Sequence, residues 1–365
     1  MSRHGTQAVR VGAQVIGGGA QISVQSMTTT DTCDVRATVA QIAALADAGC
    51  DLVRLAVPDA QAAAALPEIV RAAPVPLVAD IHFDYRLALA ALDAGIAKLR
   101  INPGNIGAAE RVRVVAQAAQ ARGVPIRVGV NAGSLQRELL ARVEAGELSM
   151  GAAMAESALT QARLLEDAGC TAVVLSVKAA HVPATIAAYT LLAERCAYPL
   201  HLGVTEAGTR QGGVIKSAIG IGTLLARGIG DTLRVSLTAD PLEEVRVGRR
   251  ILQALELRPY GPDIISCPTC GRTQVDVIAI AEELERRVAE DPVLRQMACT
   301  VAVMGCVVNG PGEARMADLG FAGGADAGML FCKGEPIGKV AAGDAVARLL
   351  DELRRMHDGH VTAVS

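Results

Sequence analysis

A chain of 365 residues is long enough for about two domains. Hydrophobic residues make up 51% of it and aromatics only 2%, so its core has to be packed from Ala, Val, Leu and Ile; with four Tyr, three Phe, no Trp and a formal charge of -3, it offers neither a stacking surface nor a basic field for nucleic acid. No apolar run is long enough to span a bilayer, the opening Met1–Arg10 is polar where a signal peptide would be apolar, and nine cysteines without scaffold spacing suit a reducing compartment, so a soluble cytoplasmic protein is expected.

Residues 1–256 carry a weak internal repeat in which an Ala/Leu-rich helix ends at glycine and a β-branched strand follows. Asp47-Ala48-Gly49, Asp93-Ala94-Gly95 and Asp167-Ala168-Gly169 are three copies of one helix ending, and Arg122-Gly123 and Arg227-Gly228 are looser ones. The spacing predicts strands over 22–27, 52–57, 77–81, 98–101, 126–130, 173–177, 200–204 and 233–237. Eight strands separated by helices predict a closed (β/α)8 TIM barrel. An eighth helix is expected over 241–255, a linker over 257–262, and a small α+β domain over 263–365. In that domain the pattern predicts a strand before Cys267, a helix over 274–290, a strand over 300–304, short strands near Phe321 and Leu330, and a last helix over 341–356. Gly220-Ile221-Gly222 is not a dinucleotide fingerprint, because position six is Leu225 and the segment precedes strand eight.

Barrel sites lie at the carboxyl ends of the strands, where inward residues alternate. Period two places on one side Arg54; Asp80 and His82; Arg100 and Asn102; Arg127 and Asn131; Ser176 and Lys178; Glu206; and Arg234 with Ser236. Five strands each bring a cation to one rim, an arrangement that needs an anion or nearby carboxylates to neutralise it. Arginine forks match phosphate oxygens, so a diphosphate-sized ligand is expected there, with Glu206 and His82 as candidates for proton transfer.

Cys267-Pro268-Thr269-Cys270 and the loop Gly305-Cys306-Val307-Val308-Asn309-Gly310-Pro311-Gly312-Glu313 form a second constellation. Two cysteines separated by two residues reach one metal from a tight turn, and a third closes the site from another element. Cys299 and Glu313 each lie seven positions from Cys306, and either could be the fourth ligand. The residues alone leave iron–sulfur and structural zinc both open. With zinc, the chain would be a barrel lyase or pterin-type transferase acting on a phosphorylated substrate.

Those two motifs, together with Val78–Arg86, Leu99–Gly107 and Val128–Ser134, closely resemble the 4-hydroxy-3-methylbut-2-enyl diphosphate synthase (IspG/GcpE) family over nearly the whole chain. The resemblance implies a 4Fe-4S cluster held by Cys267, Cys270, Cys306 and Glu313, with Cys299 left out. It implies 2-C-methyl-D-erythritol 2,4-cyclodiphosphate as substrate, opened and reduced by two electrons with loss of water in the non-mevalonate isoprenoid pathway, and flavodoxin or ferredoxin as donor. Arg54, Arg100, Arg127, Lys178 and Arg234 would clamp the diphosphate. Helix eight delivers the linker to the end of the barrel away from the site, and its six residues span at most about 20 Å. A head-to-tail homodimer is therefore expected, each cluster domain serving the partner's barrel.

Overall fold

A computed structural model of the chain describes residues 3–102, 106 and 109–364, with side chains described as far as 359. Pro103, Gly104, Asn105 and Gly107 of the Leu99–Gly107 motif lie outside the described residues, as do Met1 and Ser2 of the polar opening. The chain divides into two compact units, Met1–Arg258 and Pro259–Ser365.

The first unit opens with an antiparallel hairpin, β1 (Val9–Val11) and β2 (Gln14–Ile16). Eight parallel strands follow: β3 (Ser23–Met27), β4 (Leu52–Ala56), β5 (Leu77–Asp80), β6 (Lys98–Ile101), β7 (Ile126–Asn131), β8 (Val173–Lys178), β9 (His201–Leu202) and β10 (Thr232–Leu233). They pair in the order β8-β7-β6-β5-β4-β3-β10-β9, and the bridge between Leu175 and Leu200 joins the two ends into a barrel. The repeated helix ending has a backbone reason: Gly49, Gly95 and Gly169 have φ of 95°, 85° and 89°, a left-handed turn that returns each helix to its strand and costs a side chain energy. At the other ends, Asp34, Asp59, Asp84 and Asp240 cap helix amides as the chain leaves the strands.

Outward side chains such as Val53, Leu55, Val128 and Leu175 pack with Ile42, Leu66, Val115 and Leu165 of the helices in a fully buried, mostly aliphatic layer. Each such side chain contributes roughly 1.5–3 kcal/mol by burial. Tyr189 joins that layer; its hydroxyl donates to the His201 carbonyl and accepts the Val177 amide at 3.2 Å. Inward positions are mostly polar. The hairpin closes the amino end of the barrel by packing Val11 and Ile16 on Leu52 and Ala97.

Strands nine and ten are shorter than the sequence pattern predicts, ending at Leu202 and Leu233. The ladder lapses where Lys178 and the Arg234 carbonyl crowd Gly203, at which a Cβ would lie 2.5 Å from Lys178 Nζ and 2.6 Å from Arg234 O. The helix Pro241–Ala254 ends one residue early, and Arg258 is tied to the barrel by bonds of 2.6 and 2.8 Å to the Asp51 carboxylate.

The second unit is a five-stranded sheet: β11 (Asp263–Ser266), β12 (Thr300–Met304), β13 (Leu319–Ala322), β14 (Gly328–Cys332) and β15 (Glu335–Val340). The first three run parallel and the last two are antiparallel additions. Helices Val277–Glu290 and Ala345–Val364 cover one face through Leu284, Val288, Leu349 and Leu353; the short helix Gly310–Met316 covers the other through Ala314. β15 has no counterpart in the sequence reading. It holds Pro336 and Gly338 and exposes nearly every residue, which only an edge strand tolerates. The last helix begins at Ala345, after a short 3-10 turn over Ala342–Asp344.

Candidate active site

At the carboxyl ends of the barrel strands lies a cavity of about 140 Å³, lined by Arg54, Asp80, His82, Arg100, Arg127, Gly129, Asn131, Ser176, Lys178, Thr205, Arg234 and Ser236. Ten of these lie on the side that the strand alternation predicts; Thr205 and Gly129 have no place in that reading. Asn102 and Glu206 are outside the lining. Asn102 is buried and donates to Ser134 Oγ at 3.5 Å, the hydroxyl that also accepts the Asn131 amide, so Asn102 braces the turn carrying Asn131. Glu206 follows Thr205 on an exposed loop, and its φ of 51° holds a non-glycine residue in left-handed backbone.

Asp80 is the hub of the lining. Its carboxylate is 3.0 Å from Arg100 Nη1, 3.7 Å from Arg54 Nε and 3.4 Å from His82 Nε2. Burial alone would raise its pKa, but Arg54, His82 and Arg100 outweigh it and hold the carboxyl well below the usual range. Arg100 Nη1 is also 2.9 Å from His82 Nε2. It donates there only while that nitrogen lacks a proton; a proton on it faces Asp80 instead. Glu244, buried on the helix Pro241–Ala254, is the carboxylate behind Arg234 at 3.5 Å, and is itself fixed by the Leu237 amide at 3.0 Å and the Ser26 hydroxyl at 3.1 Å.

Arg127 and Lys178 have no carboxylate partner among the described residues. Burial pushes both pKa values well below ordinary, and neighbouring guanidinium groups push them further: Arg54 and Arg100 act on Arg127, and Arg127 and Arg234 on Lys178. A bound anion would reverse that penalty. Two glycines make room for its cations. A Cβ at Gly129 would lie 2.8 Å from Arg100 Nε, and one at Gly203 would meet Lys178.

Deeper in the barrel are two more inward groups absent from the sequence reading, Lys98 and His201, both fully buried.

The cysteine motifs sit on the second unit's sheet. β11 and β12 are parallel neighbours with Ser266 paired to Val303, so Cys267 and Gly305-Cys306 leave the same end of adjacent strands. The Gly305 amide donates to Cys267 Sγ at 3.2 Å, and the Gln274 amide to the Gly305 carbonyl at 2.8 Å, binding the two loops together. Cys270 is exposed on a turn closed by Thr273 Oγ1, which accepts its amide at 3.0 Å. Backbone amides of Asn309, Val308 and Gly310, with a smaller pull from Arg272, hold the Cys306 thiol below its ordinary pKa. Glu313 lies in the first turn of the helix Gly310–Met316. Glycine at 305 keeps these loops close, since a Cβ there would be 2.6 Å from Val277. Cys299 precedes β12 at its opposite end, about 17 Å along the strand from the cysteine loops. It packs against the core, and burial pushes its thiol up to about 11. Among the described residues, no three His, Cys, Asp or Glu side chains are grouped so as to hold a metal ion.

The pattern of the GcpE TIM-barrel domain matches residues 6–249, and that of the GcpE protein C-terminal domain matches 263–355. A 4-hydroxy-3-methylbut-2-en-1-yl diphosphate synthase (flavodoxin) of Geobacter sulfurreducens is 56% identical over 351 residues, covering 96% of this chain and 98% of that one. The protein of the same description from Ruminiclostridium cellulolyticum is 52% identical over 358 residues, covering 98% and 99%. Among solved structures, the Yersinia pestis dihydropteroate synthase aligns with 69% of this chain and 98% of its own at 13% identity, with a TM-score of 0.47, a likeness too loose to carry function. Both domain matches and relatives above half identity along almost their entire length place the chain in the GcpE family of 4-hydroxy-3-methylbut-2-en-1-yl diphosphate synthases.

Proposed function

We propose that the barrel cavity binds the diphosphate of 2-C-methyl-D-erythritol 2,4-cyclodiphosphate, and that the chain opens and dehydrates it to 4-hydroxy-3-methylbut-2-enyl diphosphate, the product for which its relatives are named. The observation that carries this reading is the pair of buried cations, Arg127 and Lys178, that face the cavity without an ion-pair partner among the described residues. Arg54 and Arg100, aligned by Asp80, and Arg234, aligned by Glu244, complete a clamp for two phosphates. Two electrons enter and one water leaves, so the departing oxygen needs a proton. His82, exposed at the rim, and Glu206, on its strained loop, are the groups proposed to deliver it.

Cys267, Cys270, Cys306 and Glu313 are the proposed ligands of a 4Fe-4S cluster. The donor chemistry fits: three thiols on two loops bonded to each other and a carboxylate in the helix turn that follows, with amides that favour a thiolate at Cys306. When bound, such a cluster passes electrons singly to the substrate. The relatives are named for flavodoxin, which is the donor proposed here, and a cytoplasmic location suits nine unpaired cysteines. No described helix is long and apolar enough to cross a membrane. A zinc-braced lyase or pterin-type transferase is not favoured, because similarity to the synthases runs through both domains.

Anaerobic turnover of the reconstituted protein with dithionite and the cyclodiphosphate tests the reading. Glu313→Ala is expected to lose at least about tenfold in rate, since even outer partners of metal ligands are worth roughly 10- to 100-fold; a rate equal to wild type removes the carboxylate ligand. Gly203→Ala, whose methyl would displace Lys178, is expected to raise KM about tenfold or more, or about 1.4 kcal/mol of binding, and an unchanged KM takes Lys178 out of the clamp.

The proposal includes a head-to-tail homodimer that draws cations from one chain and cluster ligands from the other. Arg258 leaves the barrel bonded to Asp51 and to the Ile22 carbonyl, both at amino ends of strands and so opposite the cavity. Mixing Cys306→Ala chains with Arg127→Ala chains is expected to restore activity above either parent. A mixture no better than its parents argues for sites built within single chains.

A further inference from the structure

Beneath the cavity the barrel holds a second polar layer. Thr232 is the register partner of both Ser23 and His201, which puts these three side chains at one level on adjacent strands. Gln25 is the next inward residue after Ser23, and Lys98 is the inward residue just before Arg100. Arg127, register partner of Arg100, lines the cavity and is near enough for its charge to act on Lys98 and His201. All six are at least 97% buried, with exposures from 0% to 3%. Lys98 Nζ, both ring nitrogens of His201, both amide atoms of Gln25, Arg127 Nε and Nη2, and the Ser23 and Thr232 hydroxyls find no hydrogen-bond partner among the described residues. Hairpin β1–β2 shuts this level off from the amino end with the fully buried Val11 and Ile16.

The layer is rich in donors and carries positive charge. The barrel's buried carboxylates are committed elsewhere: Asp231, next to Thr232, to Arg3, the Thr6 hydroxyl and the Leu200 amide, Asp80 to Arg54, Arg100 and His82, and Glu244 to Arg234, Ser26 and the Leu237 amide. A diphosphate at the mouth meets Arg127 and Lys178 from above and leaves Lys98 a level deeper. Water satisfies donors but brings no charge, and cations buried without a counter-charge are costly. Burial, then Arg127, then Arg54, drive the Lys98 pKa far down.

We propose that this inner layer is a binding site for a small monovalent anion of the halide class, held by Lys98, Arg127 and His201 below the substrate cavity. A spherical ion accepts bonds from donors converging on all sides and needs no planar fork, which suits an ammonium, a guanidinium edge, an imidazole and two hydroxyls on different strands. The anion would stabilise the charged form of Lys98 and balance part of the charge that Arg127 carries before substrate arrives.

Crystals of the cluster-loaded enzyme grown with bromide in place of chloride test this directly. An anomalous bromine peak within bonding reach of Lys98 Nζ and Arg127 is expected in wild type, and its absence from Lys98→Met crystals. No bromine peak at that level in wild type, with ordered water there instead, overturns the proposal, as does a peak that persists in Lys98→Met. In solution at fixed ionic strength, exchanging gluconate for chloride is expected to raise the wild-type melting temperature by about 3 °C and to leave Lys98→Met unmoved. A flat wild-type response counts against the site. The wild-type measurements stand even if Lys98→Met does not fold.

Discussion

Cys306→Ala is expected to yield a folded but colourless protein whose turnover falls at least about 10³-fold, a larger loss than the roughly 10- to 100-fold seen for outer partners of metal ligands. Folding should survive because the domain's core is built from Leu284, Val301, Val303, Phe321, Leu349 and Leu353, none of which touches solvent or depends on the cysteine loop. The chemistry should not survive. Cys306 is the thiol that three backbone amides favour as thiolate, and the Gly305 amide beside it donates to Cys267. Cys299→Ala is the control: that thiol is half-buried against the core, pushed up to about 11, and stands at the far end of β12. Losing one packed sulfur should cost about 1 kcal/mol of stability and leave iron content and activity intact. Iron analysis and absorbance at about 400 nm separate the two. A brown Cys306→Ala beside a colourless Cys299→Ala would reverse the ligand assignment.

Much of the barrel is legible in the chain because its signals are redundant. Three Asp-Ala-Gly endings each need a left-handed glycine, and all three have one. The cation ring is legible for a related reason: inward residues alternate, and Arg54, Asp80, Arg100, Arg127 and Lys178 are large charged residues inside otherwise β-branched strands. The hidden features lack such redundancy. Hairpin β1–β2 consists of two three-residue strands, too short for a period to register. Lys98 is one inward step before Arg100, but a lysine opening a strand reads equally as a solvated end, and its full burial is a tertiary fact. His201 and Thr205 flank Gly203 with the same parity, and the glycine between them gives the pattern nothing to show. The Glu244 contact with Arg234 depends on where an outer helix meets a strand end, a tertiary fact with no local trace. Glycine at 129 and 203 makes sense only once Arg100 and Lys178 are in place.

Asp80→Asn is expected to destabilise the barrel by about 3–5 kcal/mol at pH 7, because removing one member of a buried ion pair leaves its partners uncompensated. Here the partners are two guanidiniums, Arg100 at 3.0 Å and Arg54 at 3.7 Å, with Arg127 close enough for mutual repulsion. The pH dependence follows from the same contacts. Burial raises the Asp80 pKa, but Arg54, His82 and Arg100 more than reverse this, so the folded value lies below the unfolded value of about 3.9. A group depressed in this way contributes its full stability above the unfolded pKa and loses it as pH falls toward the folded one. Urea midpoints of wild type should therefore drop below about pH 4 by a component that Asp80→Asn lacks. A variant within about 1 kcal/mol of wild type at pH 7, smaller than breaking a buried pair, would mean that solvent, not Asp80, balances the clamp. Substrate gives the sharper discrimination. A diphosphate brings negative charge to the guanidiniums that Asp80→Asn leaves bare, so saturating cyclodiphosphate should recover more stability in the variant than in wild type. If Asp80 instead served only as packing, its loss would open a defect that no anion repairs, and both proteins would gain equally.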